Sequence, residues 1–174
     1  MKSLETSRFT FVPHWKVEDA ANNELVSAFW KREGALTNDA QVTERLPQLV
    51  AHAKDANGEV AAVCTAVPLN HPRLGEMVYY YRCFVGKAWR KTRLLLFLTH
   101  YATQVLEDFA IANGYPCIGI IVELESGRFT KKWRMPVWPY VPFVYIGKSQ
   151  RNLELRVYYF RGARLKTAGK TPAS

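Results

Sequence analysis

Three consecutive segments constrain the fold of this chain more than anything else in it. Residues 76–85 (EMVYYYRCFV) are rich in aromatic and β-branched side chains, the composition of a central strand. Residues 94–112 then place Leu94, Leu95, Phe97, Leu98, Tyr101, Val105, Leu106 and Phe109 on one helical face, and Asn113-Gly114 supplies a stop. Residues 117–124 (CIGIIVEL) form an almost unbroken apolar run, the pattern of a strand covered on both faces. Strand, long helix and second buried strand in this order predict one mixed α/β domain.

The flanking segments fit that reading. Residues 8–12 alternate weakly and stop at Pro13, as an edge strand does. Residues 17–36 repeat Ala20, Ala21, Leu25, Ala28 and Phe29 at helical spacing, with Asp19 near the start and Lys31, Arg32 and Gly34 near the end. A second short helix is expected from Asn38 or Asp39 to Leu46, ended by Pro47. Residues 48–55 and 59–69 predict a hairpin, with Asn57-Gly58 suited to a type I′ turn. A basic segment, 128–135, predicts a short helix; Pro136, Pro139 and Pro142 then forbid one. The aromatic residues interleaved with these prolines line an acyl or acceptor pocket, or form a rigid loop over the sheet. Residues 143–147 and 153–160 predict a final hairpin. The 174 residues thus divide into one domain, 1–165, and a loose basic tail, 166–174.

Charge narrows the function. Lys and Arg outnumber Asp and Glu by 24 to 15, giving +9. Residues 1–85 carry 9 basic and 10 acidic side chains, a net of −1, and residues 86–174 carry 15 and 5, a net of +10. An anionic partner is therefore expected at the second half. Cys64, Cys83 and Cys117 each lie in an apolar stretch and read as buried thiols. With no CxxC or HExxH spacing and with His14, His52, His71 and His100 scattered, no metal site is expected; His100 reads as structural. Residues 94–112 contain Thr99, His100, Thr103, Gln104, Glu107 and Asp108, too polar a set for a membrane span. No hydrophobic leader is visible, so a cytoplasmic location is the expectation. In the strand over 76–85, Tyr79 and Tyr81 face one side and Tyr80 the other.

The junction between the central strand and the long helix, Gly86-Lys-Ala-Trp-Arg-Lys-Thr-Arg93, holds Lys87, Arg90, Lys91 and Arg93 and no acid. Thr92 is placed to cap the helix, leaving first-turn N–H groups free. A helix start with unpaired donors and a surrounding of cations suits phosphate or pyrophosphate; the alternative is a solvated basic loop.

In its order of elements the chain resembles the GNAT superfamily of acyl-CoA-dependent N-acyltransferases, over nearly its whole length. Cys83-Phe84-Val85 matches the Val-containing triplet that ends the family's central strand. Trp89-Arg90 matches the aromatic residue and first position of its pyrophosphate loop, Arg/Gln-x-x-Gly-x-Gly/Ala. Lys91, Arg93 and Leu95 put side chains into the stretch where the family's glycines let a pyrophosphate approach the backbone. The resemblance implies a central, mostly antiparallel sheet flanked by helices, and transfer of an acetyl or other acyl group from a CoA thioester to an amine. It implies that the backbone of Phe84 or Val85 orients the thioester, and that Arg90, Lys91, Thr92, Arg93, Leu94 and Leu95 hold the pyrophosphate. Glu123, with Glu76 and Glu125 behind it, stands as the base. The family's acid, a Tyr on the next helix, falls at Thr130 here. Acetyl-CoA or another acyl-CoA is the implied co-substrate, with no metal, and the acceptor is a small-molecule or protein amine. The sequence leaves three alternatives open: a GNAT-like binding module without catalysis, a nucleic-acid-associated protein using the basic half, and pairing of C-terminal strands in a homodimer.

Overall fold

The computed structural model describes residues 4–5, 8–125 and 134–166. Its strands are β1 (Leu4–Glu5), β2 (Thr10–Pro13), β3 (Leu49–Lys54), β4 (Val60–His71), β5 (Glu76–Val85), β6 (Gly119–Leu124), β7 (Val144–Lys148) and β8 (Glu154–Tyr159). The helices are α1 (Ala20–Glu33), α2 (Asp39–Arg45) and α3 (Leu94–Ala112). The described strands form one sheet in the order β1-β2-β3-β4-β5-β6-β8-β7. Neighbours run antiparallel except β5 and β6, which are parallel. A parallel pair needs a long crossover, and α3 is that connection.

Local chemistry accounts for the boundaries. The Asp19 carboxylate accepts from the Asn22 amide at 3.0 Å and starts α1; Gly34, in the left-handed region at φ 68°, ends it. Asn38 caps α2, and Pro47 lies in the 3₁₀ turn Leu46–Gln48 that follows. The β3–β4 turn departs from the type I′ expectation. Of its residues only Gly58 takes a positive φ, +81°. The Asp55 carboxylate accepts from the amides of Asn57 and Glu59, and the Gly58 N–H bonds to the Asp55 carbonyl. That makes a three-residue loop in which an Asx interaction, rather than a left-handed Asn57, sets the reversal. Nor is the strand at 8–12 an edge: β1 pairs with its outer side.

The two faces of the sheet bury separate clusters. Tyr79, Tyr81, Ile120 and Val122 pack with Leu94, Leu98, Tyr101, Ala102, Val105 and Leu106 of α3. On the opposite face Val26, Phe29 and Trp30 of α1 and Val42 of α2 cover Leu49, Val60, Val63 and Phe84. Tyr80 belongs to the opposite face, beside Val78 and Ile121. The proline-aromatic segment settles as a cover over the sheet, with Trp138, Val141 and Phe143 buried in the α3-side core. The expected helix at 128–135 falls largely on residues 126–133, outside the described residues, as do Thr130 and most of the basic tail.

One close approach in β6 is absolute. A Cβ at Gly119 would lie 2.3 Å from the Tyr158 carbonyl oxygen of β8. That neighbour is backbone and part of a ladder, so it cannot swing aside. Gly119→Ala is expected to cost about 1–3 kcal/mol, read as a lower urea midpoint at unchanged slope; an unaltered midpoint would show that β8 yields freely.

Candidate active site

The ladder between β5 and β6 is short. It pairs Tyr79 with Ile120, Tyr80 with Ile121 and Tyr81 with Val122, and ends there. β5 continues for four more residues, held on its other side by β4 as far as Ala62 opposite Val85. The two strands therefore part beyond Tyr81 and leave an opening flanked by Arg82–Val85 on one side and Glu123–Leu124 on the other. Alternation along the β4 ladder decides which backbone groups face it. The Gly86 N–H bonds to the Ala61 carbonyl at 2.9 Å, so Phe84 and Arg82, at even steps from Gly86, also turn their amides to β4. The amides of Cys83 and Val85 point the other way, toward the opening. The sequence could not choose between Phe84 and Val85; the register leaves the donor on Val85 and gives Phe84 a packing role against Phe29.

The loop after Val85 is anchored from below. Trp89 packs edge-on against Phe9 at 5.1 Å. Glu33 accepts from the Lys87 amide at 2.9 Å, and Gly86 lies where a Cβ would be 3.2 Å from the Ala61 carbonyl and 3.3 Å from Phe29. Thr92 Oγ1 accepts from the Leu94 amide at 3.2 Å and donates to the Trp89 carbonyl at 2.7 Å. Among the described residues, the amides of Lys91, Arg93 and Leu95 have no hydrogen-bond partner. No residue of the loop has a positive φ, so side chains at Lys91, Arg93 and Leu95 are compatible with its backbone. Lys87, Arg90, Lys91 and Arg93 are exposed, and no described carboxylate pairs with their side chains. Arg90 folds back, donating from Nε to the Val85 carbonyl at 3.2 Å with its guanidinium 5.5 Å from the Phe84 ring. Free amides, a positive helix end and unpaired cations coincide at one place, and that set fits a diphosphate.

The three carboxylates separate. Glu123, half-buried on the face opposite α3, accepts from Tyr80 Oη at 2.8 Å and from Arg151 at 3.0 Å. Burial pushes its pKa up, but hydrogen bonds from Ser149 and Tyr80 and the charge of Arg151 outweigh burial and hold it below the usual carboxylate range. Glu125 shares Arg151 at 3.2 Å and lies exposed. Glu76 is at the other end of β5, about 30 Å along the strand from Val85, where it accepts from the Lys166 amide. Only Glu123 and Glu125 reach the opening.

Elsewhere, Cys64, Cys83 and Cys117 are free, and burial pushes all three thiols up, Cys83 and Cys117 to about 12. His100 is exposed rather than packed, on the rim of a cavity of about 500 Å3 between α3 and Tyr140, Val141, Pro142 and Tyr158, well along α3 from its N-terminus. Among the described residues no group of three His, Cys, Asp or Glu could hold a metal, and no helix is long and apolar enough to cross a membrane.

This architecture is that of the GNAT acetyltransferases. The chain aligns with a GNAT-family acetyltransferase from Streptococcus pneumoniae at TM-score 0.56 and 12% identity, over 87% of this chain and 99% of that one. It aligns with the ribosomal-protein-S5-alanine acetyltransferase of Vibrio fischeri at TM-score 0.59 and 7% identity, over 94% and 100%. A GNAT-family N-acetyltransferase of Escherichia coli, solved in complex with CoA, aligns at TM-score 0.56 and 13% identity, over 91% and 85%. No protein-family model and no curated protein matches the sequence. At such identities the likeness establishes the fold.

Proposed function

We propose that the chain is an acyl-CoA-dependent N-acyltransferase, moving an acetyl or other acyl group to an amine. The observation that carries this is the parting of β5 from β6 beside a cation-ringed start of α3 whose Arg93 and Leu95 amides stay free while Thr92 takes that of Leu94. Bound acyl-CoA would supply the activated acyl group as a thioester. The Val85 amide, facing the opening, donates to an oxygen that gains negative charge as an amine adds to the carbonyl; the C–S bond then breaks and the leaving CoA thiolate takes a proton from water. The amides of Lys91, Arg93 and Leu95, with the Lys91 and Arg93 side chains, hold a diphosphate. Glu123, ionised and hydrogen-bonded to Tyr80, attracts an incoming ammonium and drains its proton through the Tyr80 hydroxyl. Of the basic residues that suggested a nucleic-acid surface, Arg151, Arg156 and Arg161 are engaged with carboxylates, which supports the CoA reading over the nucleic-acid one.

Acetyl-CoA and longer acyl-CoAs are expected to stabilise the protein by about 2.7 kcal/mol at a hundred times the dissociation constant, seen as a rise in Tm. Replacing Lys91 and Arg93 together by Ala should weaken CoA at least about tenfold, equivalent to 1.4 kcal/mol, in isothermal titration. Wild-type affinity in that variant would put the diphosphate elsewhere. Binding without release of free CoA thiol in the presence of amines would favour a binding module over an enzyme.

A further inference from the structure

We propose that the amine acceptor carries an anionic group, a carboxylate or a phosphate, held by Arg45 and Arg82 on the sheet face opposite α3. This rests on the transferase reading for the word acceptor; the anion site itself is a separate claim about this chain. Register builds the site. Arg82 stands opposite Thr65, and Thr65 opposite Leu49, so β3, β4 and β5 carry one row on the face that α2 covers through Val42. Arg45 is the last residue of α2, and only the turn Leu46–Gln48 separates it from Leu49 at the head of that row. Arg82 therefore lies on the α2 side of the sheet at the lip of the opening, near enough for its charge to act on Arg45.

The charge arrangement there is lopsided. Had β5 and β6 stayed paired one step further, Glu123 would lie beside Arg82. The strands part instead, and Glu123 takes Tyr80 and Arg151 as partners. Arg82 is left lying over the Tyr80 ring at 4.8 Å, without a carboxylate, and Arg45 has none either among the described residues. Burial and the repulsion of Arg82 both push the Arg45 pKa down, and neighbouring Glu44 only partly offsets them. A half-buried guanidinium facing a like charge is costly, and an anion bridging the two removes that cost with forked hydrogen bonds. Arg82 is two residues past Tyr80 on the same face of β5, beside the place where the amine would be received. Lys91 and Arg93, at the head of α3, are assigned to the diphosphate, whereas Arg90, over the Phe84 ring on the same face as Arg82, is held by the Val85 carbonyl.

The test uses the full chain labelled at arginine, with Nε–Hε signals followed by NMR as N-acetylglycine, N-acetylglycinamide or inorganic phosphate is added. Saturable shifts of Arg45 and Arg82 with N-acetylglycine, absent with the amide, are expected. A response to phosphate alone would support the site and make the acceptor a phosphate ester. Arg82→Gln and Arg45→Gln should each weaken N-acetylglycine at least tenfold, while Arg82→Lys retains part of the affinity and wild-type Tm. Equal response to the acid and its amide, or none to any anion while acyl-CoA still binds, would overturn the proposal and leave the transferase reading intact. Anion binding in a protein that ignores acyl-CoA would uphold the site and sink the transferase reading instead.

Discussion

Arg156→Ala is expected to destabilise the protein by about 3–5 kcal/mol, the cost of stripping one partner from a buried ion pair. Arg156 is 2% exposed and the largest fully buried side chain among the described residues. Its guanidinium binds Glu154 through both Nε and Nη2 at 2.5 Å. It also donates to the Met135 carbonyl at 2.9 Å and lies 4.7 Å from the Trp138 ring. Three consequences add together on truncation: Glu154 keeps a charge with no counterion, backbone carbonyls lose a donor, and the cation leaves the indole. The segment from 134 to 143 is tied to the sheet through this arginine as well as through the Tyr145 amide on the Pro136 carbonyl, so losing the first should loosen it before the rest unfolds. Urea denaturation measures the first effect and Trp138 fluorescence the second. A loss under 1 kcal/mol would mean that water replaces Arg156 in those contacts. The paired replacement Arg156→Met with Glu154→Leu, which leaves no orphan charge, should recover most of the loss.

That residue also shows where sequence reading stops. The strand over 76–85 and the helix over 94–112 are legible to the residue, because alternation and the 3.6-residue period are local properties of an element packed along its whole length. A buried arginine is not local. In ELRVYY, Arg156 looks like any polar residue on the exposed side of a half-buried strand, and only the segment folded over it from twenty residues upstream makes that side interior. The β3–β4 turn is a smaller instance. Asn57-Gly58 advertises a two-residue reversal, but Asp55, two positions earlier, captures the loop amides first.

For the site, the basic loop and the Val85 backbone were readable because they belong to one contiguous stretch between two well-marked elements. The opening itself was not, since it depends on where the β5–β6 ladder stops. Glu123 illustrates the difference: its place in an apolar strand is plain in the sequence, whereas its partner Arg151 comes from the β7–β8 turn and reverses the direction of its pKa shift. Arg82 could have been noticed two residues after Tyr80, on the same face of one strand. Arg45 carried no signal, because its relation to Arg82 runs through the register of three strands.

The four histidines look scattered in the sequence, yet two of them form a buried pair whose protonation should set the acid limit of the fold. His14 Nε2 and His52 Nδ1 are 2.6 Å apart with the rings stacked at 4.8 Å. His52 is fully buried, and its Nε2 has no partner among the described residues. Burial, then the nearness of His14 and Lys54, pushes the His52 pKa from 6.5 down to about 3, against a small opposing pull from Asp19. Burial lowers His14 as well. An unfolded chain takes up these protons near pH 6.5 and the folded one does not. Their contribution is thus fully present above pH 6.5 and is lost as pH falls through the window down to about 3. The slope is about 1.4 kcal/mol per pH unit for His52 alone, or on the order of 3 kcal/mol by pH 4, steepened further by His14. Most carboxylates are still ionised in the upper part of that window, so unfolding free energies from urea titrations between pH 7 and pH 5 report the histidines; burial and Arg73 lower His71 too, and the difference made by His52→Gln gives the share of His52. His52→Gln, which cannot titrate, should flatten the profile there even if it lowers stability at pH 7. A variant with the wild-type slope would show that the imidazoles take up protons in the fold as readily as outside it, and that the acid limit lies with other groups.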